Sequence, residues 1–132
     1  MLRELLRNRH AVVTLDDELS LVRIIRTEDP FERDEEIESL FAQVIEALPR
    51  TKRKNLLLLV DLRRAPARND PKFEALQTLH RDAVFGGYRR AAVLVRTAAG
   101  ALQLSRLGRE ANSPTSVFND ETKALAFLMR SR

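Results

Sequence analysis

Two short segments hold the side chains best suited to chemistry: Asp61, Arg63, Arg64 and Arg68 in one, Arg96 and Thr97 in the other. A guanidinium presents a planar fork of donors that matches a carboxylate or a phosphate through two parallel hydrogen bonds. Arginines at this density can hold an anionic ligand or the acidic surface of another protein. They can also be held themselves, with Asp61 pairing to one of them and anchoring the loop. Structural ion pairs are the commoner arrangement, so anchoring is the preferred reading and ligand binding the alternative.

The other chemistry-bearing residues do not assemble into a set. His10 and His80 are the only histidines, and without cysteine they form no recognisable metal set. His80 falls on an apolar helical stripe and reads as structural. Ser20, Ser39, Ser105, Ser113 and Ser116 lack a Gly-x-Ser-x-Gly setting. Gly86-Gly87 follows a helix rather than a strand and Gly100 stands alone, so no phosphate-cradling loop is expected. The acidic residues between Glu28 and Glu38 read as helix surface. No catalytic residue, metal or cofactor is expected; an enzyme of another type requires Asp61, His80 and Thr97 to converge in space.

The elements that position these residues follow from hydrophobic period. Ala11–Leu15 and Leu19–Arg26 are β-branched runs separated by Asp16-Asp17-Glu18, which predicts a hairpin. Ile37, Leu40, Phe41, Val44, Ile45 and Leu48 recur at helical steps, with Glu35 and Glu36 at the positive end of the dipole and Pro49 as terminator. Leu56 to Val60 is continuously apolar and bounded by polar residues, as a strand covered on both faces must be. Asp70-Pro71 caps a helix whose inner stripe is Phe73, Leu76, His80, Ala83 and Val84, ended by Gly86-Gly87. Ala91–Val95 is the next buried strand. A helix opening at Thr97 to Gly100, with Leu104 and Leu107 inward, precedes a break at Ser113-Pro114. A short strand, Ser116–Phe118, leads to a last helix capped by Asn119-Asp120, with Ala124, Leu125, Leu128 and Met129 inward. The expected order is β-β-α-β-α-β-α-β-α: an α/β domain with a mixed, mostly parallel sheet carrying helices. In such sheets ligands sit beyond the C-terminal strand ends, which is where Asp61, the arginines and Thr97 fall.

Composition bounds the rest. The 132 residues, 44% apolar and 32% charged, suit one globular domain, taken as residues 10–130 after an N-terminal extension at 1–9. That extension reads as a frayed terminus, with a short basic amphipathic turn as the alternative. The absence of cysteine excludes disulfides and thiolate metal sites. No apolar run approaches the roughly 18 residues of a membrane span, and no secretory signal is evident, so the cytoplasm is the expected location. The net charge of +4 admits an anionic partner, but arginines nearly balanced by acids read first as solvated surface. Arg50-Thr51-Lys52-Arg53-Lys54 has no aromatic residue nearby for base stacking, so it reads as a solvated connector and nucleic acid as a disfavoured partner.

Three stretches carry a family resemblance. Leu57-Leu-Leu-Val-Asp-Leu-Arg63, Arg90-Ala-Ala-Val-Leu-Val95 and Val117-Phe-Asn-Asp-Glu-Thr-Lys-Ala-Leu-Ala-Phe-Leu128 resemble the SpoIIAA-like (STAS-like) family, related to anti-sigma factor antagonists. The resemblance implies a STAS-like α/β fold and a non-enzymatic regulatory or protein-interaction module. It also implies a phosphorylated serine just after the central strand, where added charge breaks the partner interface. Residues 62–69 contain no serine or threonine, and Arg63 stands where the hydroxyl is wanted. The expected function is therefore protein docking without the phosphorylation switch, through a helix face and the loop from Leu62 to Asn69. The alternative is a small-molecule module taking an anionic metabolite, lipid head group or nucleotide near Arg63 and Arg96. A homodimer through a strand edge or helix face is compatible with either.

Overall fold

Leucine-rich and β-branched segments alternate with amphipathic ones, and each adopts the element its period requires. A computed structural model describes residues 1–66, 71–97 and 116–130. Six strands, β1 (Leu2–Arg7), β2 (Ala11–Asp16), β3 (Leu21–Arg26), β4 (Leu57–Asp61), β5 (Arg90–Leu94) and β6 (Ser116–Phe118), form one sheet in the order β1-β2-β3-β4-β5-β6. β1, β2 and β3 pair antiparallel, whereas β3, β4, β5 and β6 pair parallel. The described helices are α1 (Asp34–Ala47), α2 (Pro71–Leu79), α3 (Arg81–Phe85) and α4 (Glu121–Leu128). None is long and apolar enough to cross a membrane.

β4 and β5 lie side by side in the sheet, with Val60 opposite Val93 and Asp61 opposite Leu94. Every residue of β4 is buried, because each face of the strand meets its own core. Val22, Ile24, Leu58, Val60 and Val93 point to the side covered by Leu40, Val44 and Leu48 of the α1 segment and by Val84 of α3. Leu21, Leu57, Leu59, Ala92 and Leu94 point to the other side, where Ala124 and Leu128 of α4 close over them. Fully burying each of these leucines contributes about 1.5–3 kcal/mol, so the continuous apolar run requires helices on both faces.

The structure corrects the expected order in two places. Leu2–Arg7 is a strand rather than a frayed or helical turn. The register slips between Glu4 and Leu6, a bulge that brings Leu5 and Leu6 both against the core. That bulge gives Leu2, Leu5 and Leu6 a spacing that imitates a helical stripe. The helix expected through His80 is broken there into α2 and α3. The break lets Val84 enter the sheet-side core while Phe73 stays level with Phe31 and Phe41, at ring distances of 6.0 and 5.8 Å. Ala83 is consequently exposed, as are Leu19 in the hairpin turn and Met129 at the end of α4. The helix expected from Thr97, with Leu104 and Leu107, the break at Ser113-Pro114 and the Asp70 cap lie outside the described residues.

Candidate functional site

Strand alternation sets the side chain of Asp61 on the α4 side of the sheet, in line with Leu57 and Leu59. The ladder runs one step further, Leu62 N–H donating to the Leu94 carbonyl at 2.8 Å, and the chain then turns. Asp61 Oδ1 accepts the Arg63 backbone N–H at 3.0 Å, which closes the turn. The Arg63 guanidinium folds back on the same carboxylate, Nε to Oδ1 at 3.1 Å and Nη2 to Oδ2 at 2.8 Å. Its Nη2 also donates to Glu121 Oε1, 2.8 Å away in the first turn of α4. The second oxygen of Glu121 lies 3.7 Å from the Arg23 guanidinium on β3. Asp61, Arg63, Glu121 and Arg23 thereby tie three elements at the C-terminal rim of the parallel strands.

Burial by itself raises the pKa of Asp61, because a carboxylate loses hydration there. The side-chain and backbone hydrogen bonds from Arg63, with the charges of Arg63 and Arg23, outweigh that effect and hold it below its ordinary value. The Arg63 guanidinium is raised, first by its hydrogen bond to Asp61. The anchored loop is thus what the geometry shows for Asp61 and Arg63. Both oxygens of a largely buried acid are engaged, while Arg63 keeps 39% of its side chain in solvent.

The remaining members of the group occupy the same rim differently. Arg64 is exposed and pairs with Glu28, which follows β3. Arg96 and Thr97 follow β5 and are both exposed. Arg68 lies outside the described residues. The rim is therefore assembled from the segments after β3, β4 and β5 and from the start of α4, where the Asp120 carboxylate caps the helix by accepting from Thr122 N–H at 2.8 Å.

His80 does not join this rim. Its ring stacks on Phe41 of α1 at 5.4 Å, on the face of the sheet opposite α4, so Asp61, His80 and Thr97 do not converge. His10 is buried against Phe31 at 4.6 Å, with Nδ1 3.3 Å from the Asp29 carbonyl. Both histidines thus end a row of rings through Phe31, Phe73 and Phe41. Among the described residues no cluster of three or more His, Asp or Glu could hold a metal ion.

A cleft of about 370 Å³ lies beside the β1–β2 turn and the start of α1, lined by none of the rim residues. Of its polar side chains Asn8, Ser39 and Gln43 are turned on one another, and Arg9 turns to a carboxylate outside the lining. Asn8 donates to Gln43 at 3.0 Å, Gln43 donates to Ser39 at 2.8 Å, and Arg9 reaches Glu32 at 2.8 Å.

Sequence reasoning missed three participants. Glu121 and Glu28 are distant in sequence from the arginines they hold. Arg23 carried a readable signal: a charged side chain aligned with inward-facing Leu21 requires a partner. A fourth correction concerns the basic connector, where Arg53 is not merely solvated. It donates to the Pro49 carbonyl at 2.6 Å and the Gly86 carbonyl at 2.9 Å, with its guanidinium 4.8 Å from the Tyr88 ring.

No family model matches the sequence, and searches of curated proteins and of solved structures likewise find no match.

Proposed function

We propose that this α/β domain is a non-enzymatic protein-docking module, akin to the STAS-like domains its sequence resembles, and that the partner meets the rim of Arg63, Arg64, Arg96 and Thr97. The observation that supports this reading is the Arg63 fork. A loop already tied to β4 and α4 loses little further freedom when a partner closes on it, and that lowers the cost of association. Arginines on such a fixed surface are frequent energetic centres of protein interfaces. The phosphorylation switch has no hydroxyl to use between 62 and 66, because Arg63 fills that position and is engaged with Asp61.

The test spares Arg63, whose loss would strand Asp61. An Arg64→Ala/Arg96→Ala variant that keeps its circular dichroism spectrum is expected to lose its partner in quantitative pull-downs from the native lysate. Undiminished capture by that variant would exclude the rim.

A second reading is favoured by Arg96, which is exposed and reaches no carboxylate among the described residues. An anionic small molecule bound beside Thr97 is expected to raise the melting temperature, by about 2.7 kcal/mol of added stability at a hundredfold excess over Kd. A flat response across anionic metabolites and nucleotides removes it.

A further inference from the structure

We infer that the end of the domain opposite the rim is a docking face for an anionic lipid bilayer. The inference is independent of the protein-docking proposal, which concerns the other end of the strands.

It starts from where positive charge is left uncompensated. At the rim end Arg33, Arg96 and Lys123 stand exposed and apart from one another on separate segments, while Arg9, Arg23, Arg63 and Arg64 each reach a carboxylate. At the other end, where β4 and β5 begin and α4 stops, the basic side chains do not. Lys52 and Lys54 precede β4, Arg89 precedes β5 and Arg130 follows α4. All four are exposed, and none forms an ion pair among the described residues. Arg90 beside them donates to the backbone carbonyls of Leu128 and Arg130, which neutralises no charge. Arg50 has only a loose contact with Glu46, at 3.6 Å and with both side chains in solvent.

The structure brings these residues into one row. Arg89 N–H donates to the Leu56 carbonyl at 2.9 Å, and Arg53 joins its own connector to Gly86. Leu57 is paired with Arg90, whose guanidinium reaches the end of α4 at Arg130. The acidic hairpin turn adjoins the β4 start at Ser20, whose carbonyl accepts the Leu57 N–H at 2.8 Å; there Asp17 is met by Arg3, and Asp16 accepts the backbone N–H groups of Glu18 and Leu19.

The chemistry of the row selects its partner. Charges spread over three loops and a helix end suit an extended anionic surface better than a single enclosed phosphate. Single-stranded nucleic acid needs open aromatic faces for its bases. Here the Tyr88 ring is covered by Arg53, and the Phe127 ring has Arg130 at 5.9 Å. Met129, 39% exposed next to Arg130, supplies an apolar side chain at the same end, and the lysine and arginine stems can lie in the head-group layer.

Cosedimentation of the full chain with vesicles tests this. Phosphatidylcholine vesicles containing phosphatidylserine are expected to bind it, pure phosphatidylcholine vesicles not, and added salt to release it. Each charge removed should weaken binding about fivefold, so Lys52→Gln/Lys54→Gln/Arg89→Gln/Arg130→Gln should weaken it by several hundredfold. Lys123→Gln, at the rim end, should leave it unchanged. If the quadruple variant loses its fold, Lys54→Gln/Arg89→Gln reads the same effect at about twenty-five-fold. The inference is overturned by equal binding to neutral vesicles, by no binding at low salt, or by full binding of a folded variant. It is also overturned if an oligonucleotide displaces the protein at phosphate concentrations below that of the accessible anionic lipid, which would reassign the row to nucleic acid.

Discussion

Burial disfavours the Asp61 carboxylate, and the Arg63 fork more than offsets it, so this one pair links the acid–base behaviour of the fold to the rim. A carboxyl held below its ordinary pKa contributes stability that is present above the unfolded value, near 4, and is lost as pH falls through the lower folded value. Asp61→Asn is therefore expected to cost about 1–2 kcal/mol at neutral pH, a charged hydrogen-bonded pair being worth roughly that once partial exposure of Arg63 is allowed for. In urea denaturation the gap between variant and wild type should close in acid, and a gap that persists there would rule out the pair as its source. Arg53 makes a second residue-scale case. Arg53→Lys is expected to lose about 1–2 kcal/mol, because an ammonium cannot serve two carbonyls from one plane while stacking on Tyr88. A melting temperature equal to that of the wild type would show that the clamp contributes nothing. That Asp61 pairs with one of the loop arginines was readable from the sequence, because only Leu62 separates it from Arg63 in a segment expected to leave the strand. The part of Glu121 was not, since only the closing of α4 over the sheet brings it to Arg63.

At the scale of elements, packing explains both what was legible and what was not. β4 and β5 were readable because their apolar runs are uninterrupted, too short for a helix and bounded by polar residues, which suits a strand covered on both faces. β1 was hidden because its bulge disrupts alternation and mimics a helix. Its role is testable: Leu5→Ser/Leu6→Ser should lower the melting temperature by several degrees, whereas a frayed terminus would tolerate both changes. α2 differs from the other long helices in having no buried residue. It is held to α1 by Phe73 against Phe41 and by the exposed Lys72–Glu38 pair at 2.8 Å. Hydrogen exchange should consequently find amides in the second turn of α2 opening well before those of α1, and Phe73→Ala should accelerate α2 exchange while leaving β4 protected. Simultaneous loss of protection in α2 and β4 would mean that the helix is part of the cooperative core.

Across the whole molecule, the sheet separates two chemical ends. At the rim end Arg9, Arg23, Arg63 and Arg64 sit in carboxylate partnerships, and at the other end Lys52, Lys54, Arg89 and Arg130 do not among the described residues, so net charge alone described neither. The two sheet edges also resist the addition of a further strand, β1 through its bulge and its Arg3, Glu4 and Arg7 side chains, β6 through being only three residues long.

The succession of strands, each bonded to the one synthesised before it, bears on how the chain folds as it leaves the ribosome. Among the described strands none must be inserted between two that have already joined, so the sheet can extend in one direction while synthesis continues. The vulnerable moment is fixed by the same succession. Once β4 has docked on β3, its outer edge stays open until β5 has been made, and Leu57 and Leu59 stay uncovered longer still, until α4 closes over them. Translation pauses in that interval should be the ones that send nascent chains into aggregates.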